Sequence, residues 1–366
     1  MNRIAEALET NGIGFNWTKY EQGVLQDKKQ QLEQNVSELC QLLNCQSDNI
    51  IDPKQLIWKL YKINLFPESL SFDFLKAHRH HSVYDLLYRY KRTLQFINQY
   101  GDKLFQQIQP DGRIHANWTM DGAKTGRMSS KEPNLQAFPG EIKPYFRPKK
   151  DYCFVSGDYS QIELRVLAEL SQDSNMIQSF ISDIDIHIKT ASVVFNKPIE
   201  QISEEERTIG KRVNFGVCYG ISAKGLCETV NKKTNVNLSF QQADKIKLNF
   251  YNAYPKILNY HNFLLKTDTI VSLGGRQWID YPKGIARVNL PVQASAAEGL
   301  KIALTILMEC LPDDCLLVNV IHDEIILEVP IPKAEQIQIL LEQSMITGMK
   351  QLVKSVPIVV DTNIIF

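Results

Sequence analysis

Two aspartates, Asp158 and Asp323, are the residues of this sequence best suited to chemistry at a phosphate group. Asp158 ends the strand-like run DYCFVSGDYS, and Asp323 separates two apolar, β-branched runs in CLLVNVIHDEIILEV, which is the pattern of a hairpin with carboxylates at its tip. Carboxylates at adjacent strand ends suit a pair of Mg²⁺ ions, which can stabilise both the attacking and the leaving oxygen of a phosphoryl transfer. Either aspartate alone could simply end a strand in a turn, so both interpretations stay open.

A helix between the two aspartates carries a second pattern. Ser203 and Glu206 form a capping box at its start, and Gly220 can close its far end. At every fourth position it carries one member of a slowly turning stripe, whose residues are Arg207, Lys211, Phe215 and Tyr219. The cationic half lies at the positive end of the helix dipole, where a triphosphate would bind favourably, and a base could stack on the aromatic half. An ordinary amphipathic helix with buried aromatics and solvated cations is the alternative.

Length and composition limit the function classes. A chain of 366 residues with 44% hydrophobic and 22% charged residues is expected to form two or three lobes of an ordinary globular protein. It has no apolar run of membrane-spanning length and no signal-peptide core, so we expect an intracellular, cytoplasmic protein without a membrane partner. Its seven cysteines contain no CxxC pair, which suits neither a disulfide framework nor a zinc site and predicts reduced thiols.

The charge distribution adds one local hint of a partner. The formal net charge is zero, but residues 76–150 are more basic than residues 1–75. A basic middle segment is compatible with contacts to phosphates, although many solvated surfaces look the same. Along the chain, a helical region precedes the strand with Asp158, a helical insert follows it, and the acidic hairpin comes last. That order predicts a sheet-based site between helical arms.

Several motifs together resemble DNA polymerases of family A, the DNA polymerase I kind, and they occur in the order found in that family. They are TGRMSSKEPNLQAFP (125–139), DYSQIELR (158–165), DIH (185–187), R-x-x-x-K-x-x-x-F-x-x-x-Y-G (207–220), LGGR (273–276), NLPVQ (289–293) and HDE (322–324). The resemblance covers nearly the whole chain. It implies an α+β, right-hand polymerase fold with an antiparallel-sheet palm, helical fingers and a helical thumb. The thumb with its leading helices is expected at 1–105, the palm at 106–185 and 286–366, and the fingers at 186–285.

The resemblance also implies an activity, a cofactor and catalytic residues. The chain is expected to add dNTPs to the 3′-OH of a primer, as directed by a DNA template. Asp158 and Asp323 would bind two Mg²⁺ ions, with the backbone carbonyl of Tyr159 as a further ligand. Glu324 would be an auxiliary carboxylate, and Lys211 would be the general acid for the pyrophosphate leaving group.

Residues at the incoming dNTP and at the primer–template DNA follow from the same motifs. Expected at the nucleotide are Arg207, Lys211 and His187 on the triphosphate, Glu163 against a 2′-hydroxyl, Phe215 on the base, Tyr219 closing the pocket, and Gln161. Expected at the primer end or minor groove are Arg127, Asn289, Gln293, His322 and Arg276, with Gln161 as a weaker member of that group. The chain is expected to act as a monomer, and the sequence identifies no protein partner.

The chain departs from the family pattern in ways that bear on its role. It has no room for a proofreading exonuclease, and the segment INLFPESLSF is a short thumb tip, so weak processivity is expected. Arg212 adds a second cation beside Lys211, which suggests low fidelity or lesion bypass. Gly210 could loosen the helix or could serve packing. A prokaryotic-type or mobile-element context is suspected.

Three other functions compete with this interpretation. The first is a non-catalytic nucleic-acid-binding relative, which the intact Asp158, Arg207, Lys211 and Asp323 disfavour. The second is a reverse transcriptase, and no residue decides between DNA and RNA as template. The third is a two-metal nuclease, which would leave the stripe of cations and aromatics without a role.

Overall fold

The computed structural model describes residues 2–182, 184–233 and 236–366. The α-helices in this part of the chain are α1 (Asn2–Asn11), α2 (Trp17–Tyr20), α3 (Gln26–Leu43), α4 (Ser47–Ile51), α5 (Pro53–Lys62), α6 (Phe72–Ala77), α7 (Ser82–Tyr100), α8 (Asp102–Phe105), α9 (Ile162–Ser171), α10 (Ser174–Ile181), α11 (Ile186–Phe195), α12 (Glu204–Cys218), α13 (Ala223–Lys233), α14 (Phe240–Ala253), α15 (Pro255–Lys266), α16 (Ala286–Cys310) and α17 (Ala334–Lys350). The strands are β1 (Ile13–Gly14), β2 (Arg113–Ile114), β3 (Asn117–Thr119), β4 (Ser129–Lys131), β5 (Tyr152–Tyr159), β6 (Thr269–Val271), β7 (Gln277–Ile279), β8 (Leu316–Ile321), β9 (Glu324–Pro330) and β10 (Val360–Ile365). The predicted α+β class is confirmed.

One antiparallel sheet of four strands, in the order β10–β5–β9–β8, positions the predicted carboxylates. Every residue of β5 from Cys153 to Gly157 is buried, which explains why the sequence there does not alternate between apolar and polar residues. β8 and β9 form the predicted hairpin, and Ile321 pairs with Glu324 across a two-residue turn. His322, in that turn, has a left-handed backbone with φ of 57°.

The long helices α16 and α17 pack together, and α17 covers β5 and β10. Small residues allow the close approach. A Cβ added at Gly157 would lie 2.8 Å from the sulfur of Met345, and one at Gly348 would lie 2.4 Å from the backbone nitrogen of Ala303. The hydroxyl of buried Tyr159 donates to the Met345 carbonyl at 2.6 Å. β5 is therefore anchored to α17 immediately after Asp158.

The pair α11 and α12 holds the predicted stripe. The capping box is present, since Ser203 accepts from the backbone of Glu206 and the Glu206 carboxylate accepts from the backbone of Ser203. Gly220 has φ of 66° and follows the helix end. Gly210 lies where the two helices touch, and a Cβ there would lie 2.2 Å from the carbonyl oxygen of His187. Of the two explanations offered for Gly210, the structure supports close packing.

The chain divides into two compact units. The first contains the residues up to Asn11, 116–136 and 148–366, and the second contains 12–115 and 137–147. In the second unit, the sequence-predicted helices at 28–43 and 82–100 form α3 and α7, which pack against each other. Leu39, Leu60 and Leu87 are fully buried in its core.

Two expectations from composition concern membranes and thiols. Among the described helices, none combines the length and the apolar character needed to span a membrane. The thiols predicted to be reduced are free at Cys40, Cys45, Cys153, Cys227, Cys310 and Cys315. The side chain of the seventh, Cys218, lies outside what the structure describes.

Candidate active site

The carboxylates predicted from the sequence meet at one edge of the four-stranded sheet. Asp158 on β5 pairs with Glu324 on β9 and with Asp361 on β10. Directly opposed residues of antiparallel strands place their side chains on the same face, with Cβ atoms roughly 5 Å apart. Asp323 precedes Glu324 in the turn, and its carbonyl oxygen lies 3.4 Å from the backbone nitrogen of Tyr159. The structure thus brings the predicted metal ligands together.

The electrostatic surroundings of Asp323 disfavour its negative charge. Burial raises the pKa of this carboxyl above its ordinary value, and the charge of Glu163 raises it further. A backbone hydrogen bond at Asp323 and electrostatic interactions with Arg127 and His322 act in the opposite direction but do not cancel the shift. A bound cation would relieve this repulsion between carboxylates.

Glu163 connects the sheet edge to the end of α12. The residue is 7% exposed, and its two carboxylate oxygens have different donors. Arg127 Nη2 donates to one oxygen at 2.6 Å, and the Tyr219 hydroxyl donates to the other. Arg127, expected at the primer, and Tyr219, expected at the nucleotide, therefore both bind the residue expected to exclude a 2′-hydroxyl.

Arg207 is held by a carboxylate for which sequence reasoning had assigned no role. Asp185 accepts from Arg207 Nε at 3.0 Å and from Nη2 at 2.7 Å. The Arg207 bonds both go to Oδ2 of Asp185, and the other oxygen, Oδ1, caps α11 by accepting from the backbone amides of His187 and Ile188. Burial raises the pKa of Asp185, but the bonds from Arg207 and the two amides outweigh burial and leave the pKa below its ordinary value.

His187 is enclosed by residues of α11 and α12. It is 3% exposed, and its ring lies 5.9 Å from the ring of Phe215, measured between centroids. Burial lowers its pKa to about 4, with Asp185 acting upward and the cations Lys211 and Arg207 acting downward. These charge effects mean that the three predicted triphosphate contacts lie close to one another.

A buried amide, Asn214, was not predicted from the sequence. It is 0% exposed, and its Nδ2 lies 3.0 Å from Nδ1 of His187 and 3.2 Å from the carbonyl oxygen of Ile186. Its Oδ1 accepts from the hydroxyl of buried Thr190 at 2.8 Å. Its place on the stripe helix, one residue before Phe215, was the one sequence signal that could have identified it.

The two adjacent basic residues of α12 differ in exposure. Lys211 is exposed and therefore accessible to a phosphate, whereas Arg212 is half-buried. Nε of Arg212 is buried and has no hydrogen-bond partner among the described residues.

The residues expected at DNA fall into two groups. Arg276 Nη2 pairs with Asp121 at 2.6 Å, while Nε of Arg276 and Oδ1 of Asn289 are buried and have no partner within the described part of the chain. Gln293 lies one turn beyond Asn289 on α16 and is half-buried. The second group flanks the carboxylates and consists of Arg127, exposed His322, and Gln161, which has a left-handed backbone with φ of 55°.

Other polar contacts hold these elements in place. Glu298 on α16 accepts from the Ser272 hydroxyl at 2.7 Å and from the Gly274 amide at 2.9 Å, which fixes the turn before Arg276. Gln136 donates to the Val320 carbonyl at 3.0 Å and ties the 125–139 segment to β8. The arrangement combines a carboxylate cluster, a cationic helix face and an aromatic surface, which together suit transfer between phosphate esters.

Comparison of the sequence with known proteins identifies a family and several relatives. A family model described as DNA polymerase family A matches residues 18–278 and 279–365. DNA polymerase I of Aquifex aeolicus is 34% identical over 330 residues, which cover 86% of this chain and 57% of that protein. DNA polymerase I of Lactococcus lactis subsp. lactis is 35% identical over 302 residues, covering 75% of this chain and 33% of the relative. This chain thus spans only part of the length of these relatives.

A solved structure matches the fold. It is the POL domain of Pol1 from M. smegmatis in complex with DNA primer-template and dNTP. The TM-score is 0.85 at 25% sequence identity, and the match covers 99% of this chain and 68% of the other.

Proposed function

Because this chain belongs to DNA polymerase family A, we propose that it is a DNA-directed DNA polymerase that extends a primer 3′-OH with dNTPs. The observation that carries the proposal is the position of Glu163. This residue binds Tyr219 at the end of the cationic helix, and its charge acts on Asp323 at the sheet edge. Glu163 thereby links a residue proposed to bind the nucleotide with a carboxylate proposed to bind metal.

The donor set at the sheet edge fits magnesium. Mg²⁺ prefers oxygen ligands, keeps several waters and needs only one or two protein carboxylates besides substrate phosphates. Among the described residues, no group of three or more His, Cys, Asp or Glu side chains is arranged to hold a metal by itself. Asp158, Asp323 and the Tyr159 carbonyl would hold two ions, with Glu324 beside them. When bound, the ions would neutralise charge on the attacking and leaving oxygens.

The protein groups act mainly by positioning and by charge. Arg207, Lys211 and His187 would contact the triphosphate from the N-terminal half of α12 and from α11. As the primer 3′-hydroxyl gives up its proton to water, its oxygen would attack the α-phosphorus in line, a new P–O bond would form, and the bond to pyrophosphate would break. Lys211, exposed beside His187, would donate a proton to the leaving pyrophosphate.

Selection of the sugar and the base would depend on the neighbouring side chains. Glu163 is held on both oxygens, so a 2′-hydroxyl beside it would meet a fixed carboxylate. Phe215 would stack on the incoming base, and Tyr219 would close the pocket. Arg127, Asn289, Gln293, His322 and Arg276 would contact primer–template DNA, and Gln161 would contact the nucleotide. Oδ1 of Asn289 and Nε of Arg276, which have no hydrogen-bond partner among the described residues, support that role.

We assign the palm to 106–185 and 286–366, the fingers to 186–285 and the thumb with its leading helices to 1–105. All four strands of the main sheet lie within the two palm segments, and α12 lies within the fingers segment. The compact unit at 12–115 and 137–147 contains most of the proposed thumb. We further propose low fidelity, because Arg212 offers a second cation that could retain a mispaired nucleotide by its phosphates.

The test is single-nucleotide extension of a primed DNA template with Mg²⁺ and each dNTP or rNTP supplied separately, comparing wild type with Asp323→Ala. Addition of only the template-matched dNTP, lost in the variant, supports the proposal. Frequent mismatched addition that falls in Arg212→Ala supports low fidelity, and an equal rate in both contradicts it. No addition by the wild-type protein would favour a non-catalytic nucleic-acid-binding relative.

A further inference from the structure

The two ring nitrogens of His187 have different surroundings. Nδ1 lies 3.0 Å from Asn214 Nδ2. Nε2 makes no hydrogen bond to any residue that the structure describes. A neutral imidazole donates from one nitrogen and accepts at the other, so the bond at Nδ1 decides what Nε2 can do.

The amide of Asn214 has only one orientation that satisfies its neighbours. The carbonyl oxygen of Ile186 can only accept, so the amide atom 3.2 Å from it must be the nitrogen. The opposite atom, Oδ1, accepts from the Thr190 hydroxyl at 2.8 Å. A flipped amide would place two oxygens against each other in a site where Asn214 and Thr190 are both 0% exposed. The same nitrogen that faces Ile186 therefore donates its second hydrogen to Nδ1 of His187.

We propose that Asn214 is a positioning residue that fixes His187 as the Nε2–H tautomer, so that His187 donates a hydrogen bond to the triphosphate of the incoming nucleotide. This inference rests on the proposed function for the ligand, but the tautomer belongs to the protein alone. Thr190 binds Asn214, Asn214 binds Nδ1, and the proton is left on Nε2, the ring nitrogen that makes no hydrogen bond to the described residues.

The arrangement also explains how His187 can stay neutral and act as a hydrogen-bond donor close to the cations Lys211 and Arg207. Protonation of Nδ1 would bring an N–H against the Asn214 N–H, and burial together with Lys211 and Arg207 lowers the pKa of the ring to about 4. The donor at Nε2 is then unchanged across the whole neutral pH range. The ring of Phe215 lies beside the imidazole, with 5.9 Å between the ring centroids and an angle of 37° between the planes.

The test combines ¹⁵N NMR of ring-labelled histidine with steady-state kinetics. The His187 signals are assigned by their absence in His187→Gln. The wild-type protein should show an unprotonated Nδ1 and a protonated Nε2, and the Nε2 signal should move when dTTP is added. In Asn214→Asp, whose carboxylate accepts instead of donating, the proton should move to Nδ1 or the ring should become charged. The KM for dTTP should rise about 10-fold with a smaller change in kcat, as expected for one lost phosphate contact.

Two further variants keep the result interpretable. Asn249→Asp makes the same chemical change at an amide that donates to the Val194 carbonyl on the same helix α11, and it should leave the ring signals and KM at wild-type values. Thr190→Val loosens Asn214 without touching the ring and should give a mixture of tautomers even if Asn214→Asp does not fold. A protonated Nδ1 in the wild type, or unchanged ring signals and KM in both Asn214→Asp and Thr190→Val, would overturn the inference. An Nε2–H tautomer with dTTP-sensitive signals but no primer extension would support the inference and contradict the proposed polymerase activity.

Discussion

Asp185 binds the guanidinium of Arg207 and the N-terminus of α11 at the same time. Its oxygens accept from two guanidinium nitrogens and from the backbone amides of His187 and Ile188. One carboxylate therefore fixes the cation expected at the triphosphate and starts the helix that carries His187. The sequence motif DIH contains Asp185 and His187, but only the fold shows that Asp185 also binds Arg207 on α12.

Substitution of Asp185 should separate its two tasks. Asn is as good an N-cap as Asp, so Asp185→Asn should lose only the ion pair, which is about one-third exposed and stabilises by about 1 kcal/mol or less. Asp185→Ala should lose the cap as well, at a further cost of about 1 kcal/mol. Urea-unfolding midpoints measure both. The control is Asp52→Asn, an N-cap of α5 that accepts from backbone amides without an arginine, which should be neutral. Equal midpoints for Asp185→Asn and Asp185→Ala would contradict the capping role.

Gly210→Ala should separate α11 from α12. The new Cβ would lie 2.2 Å from the His187 carbonyl oxygen and 3.0 Å from the Ala191 nitrogen, which are backbone atoms that cannot rotate away. We expect a loss of about 1–3 kcal/mol in the free energy of unfolding. Gly225→Ala in α13 is the matched control, because its Cβ would meet the flexible side chain of Ile221 first, at 3.0 Å. Helix propensity should make this change neutral or stabilising by up to about 1 kcal/mol. A Gly210→Ala protein as stable as the Gly225→Ala protein would refute the packing explanation.

Acid should destabilise the protein partly through His187. Its pKa is about 4 in the folded chain and about 6.5 when unfolded. Between these values the unfolded chain binds more protons, so stability is full above pH 6.5 and falls as the pH drops toward 4. The contribution is on the order of 3 kcal/mol. Urea midpoints of His187→Gln should therefore fall less steeply over this range than those of wild type.

A second histidine provides the control for this pH effect. Burial also lowers the pKa of His261 in α15 to about 4, so His261→Gln should flatten the curve by a similar amount without any change in nucleotide binding. Parallel wild-type and His187→Gln curves would show that the ring is not held neutral.

Glu163→Ala should weaken discrimination against ribonucleotides. The substitution removes the carboxylate that Arg127 and Tyr219 hold in place, which opens space for a 2′-hydroxyl. We expect the ratio of rNTP to dNTP kcat/KM to rise by about 100-fold, equivalent to roughly 2.7 kcal/mol of transition-state discrimination. Glu163→Gln keeps the volume and should retain most of the selectivity. A ratio that rises equally in both variants would indicate a role of charge rather than of size.

The sequence predicted those parts of the site that depend on local pattern. The strand that carries Asp158, which extends one residue further to Tyr159, the hairpin around Asp323, and the capped helix from Glu204 were found where the apolar pattern and capping residues predicted them. Motif order was sufficient for the family, because an ordered set of short matches carries more information than any one of them.

Long-range contacts could not be predicted from these patterns. Asp361 pairs opposite Asp158 only because β10 returns to the sheet at the end of the chain. Buried Arg287 donates to the carbonyls of Leu264, Thr267 and Tyr281, which no periodicity signals. Asn214 lies within the stripe helix, but its role depends on Thr190 and Ile186 from α11. Such residues bind groups of segments that are distant in the sequence. The local composition around a residue does not show which distant segment it will contact.

The most direct test of the central claim is pre-steady-state addition of one template-matched dNTP by Asp158→Asn and Asp361→Asn proteins. Both residues lie on one sheet face, and each substitution removes one carboxylate charge with little change in volume. The account predicts that Asp158→Asn loses the chemical step by at least about 1,000-fold, equivalent to roughly 4 kcal/mol, while Asp361→Asn retains a rate near that of wild type. Equal losses in the two variants, or a fully active Asp158→Asn protein, would contradict the assignment of Asp158 as the residue on which nucleotide addition depends.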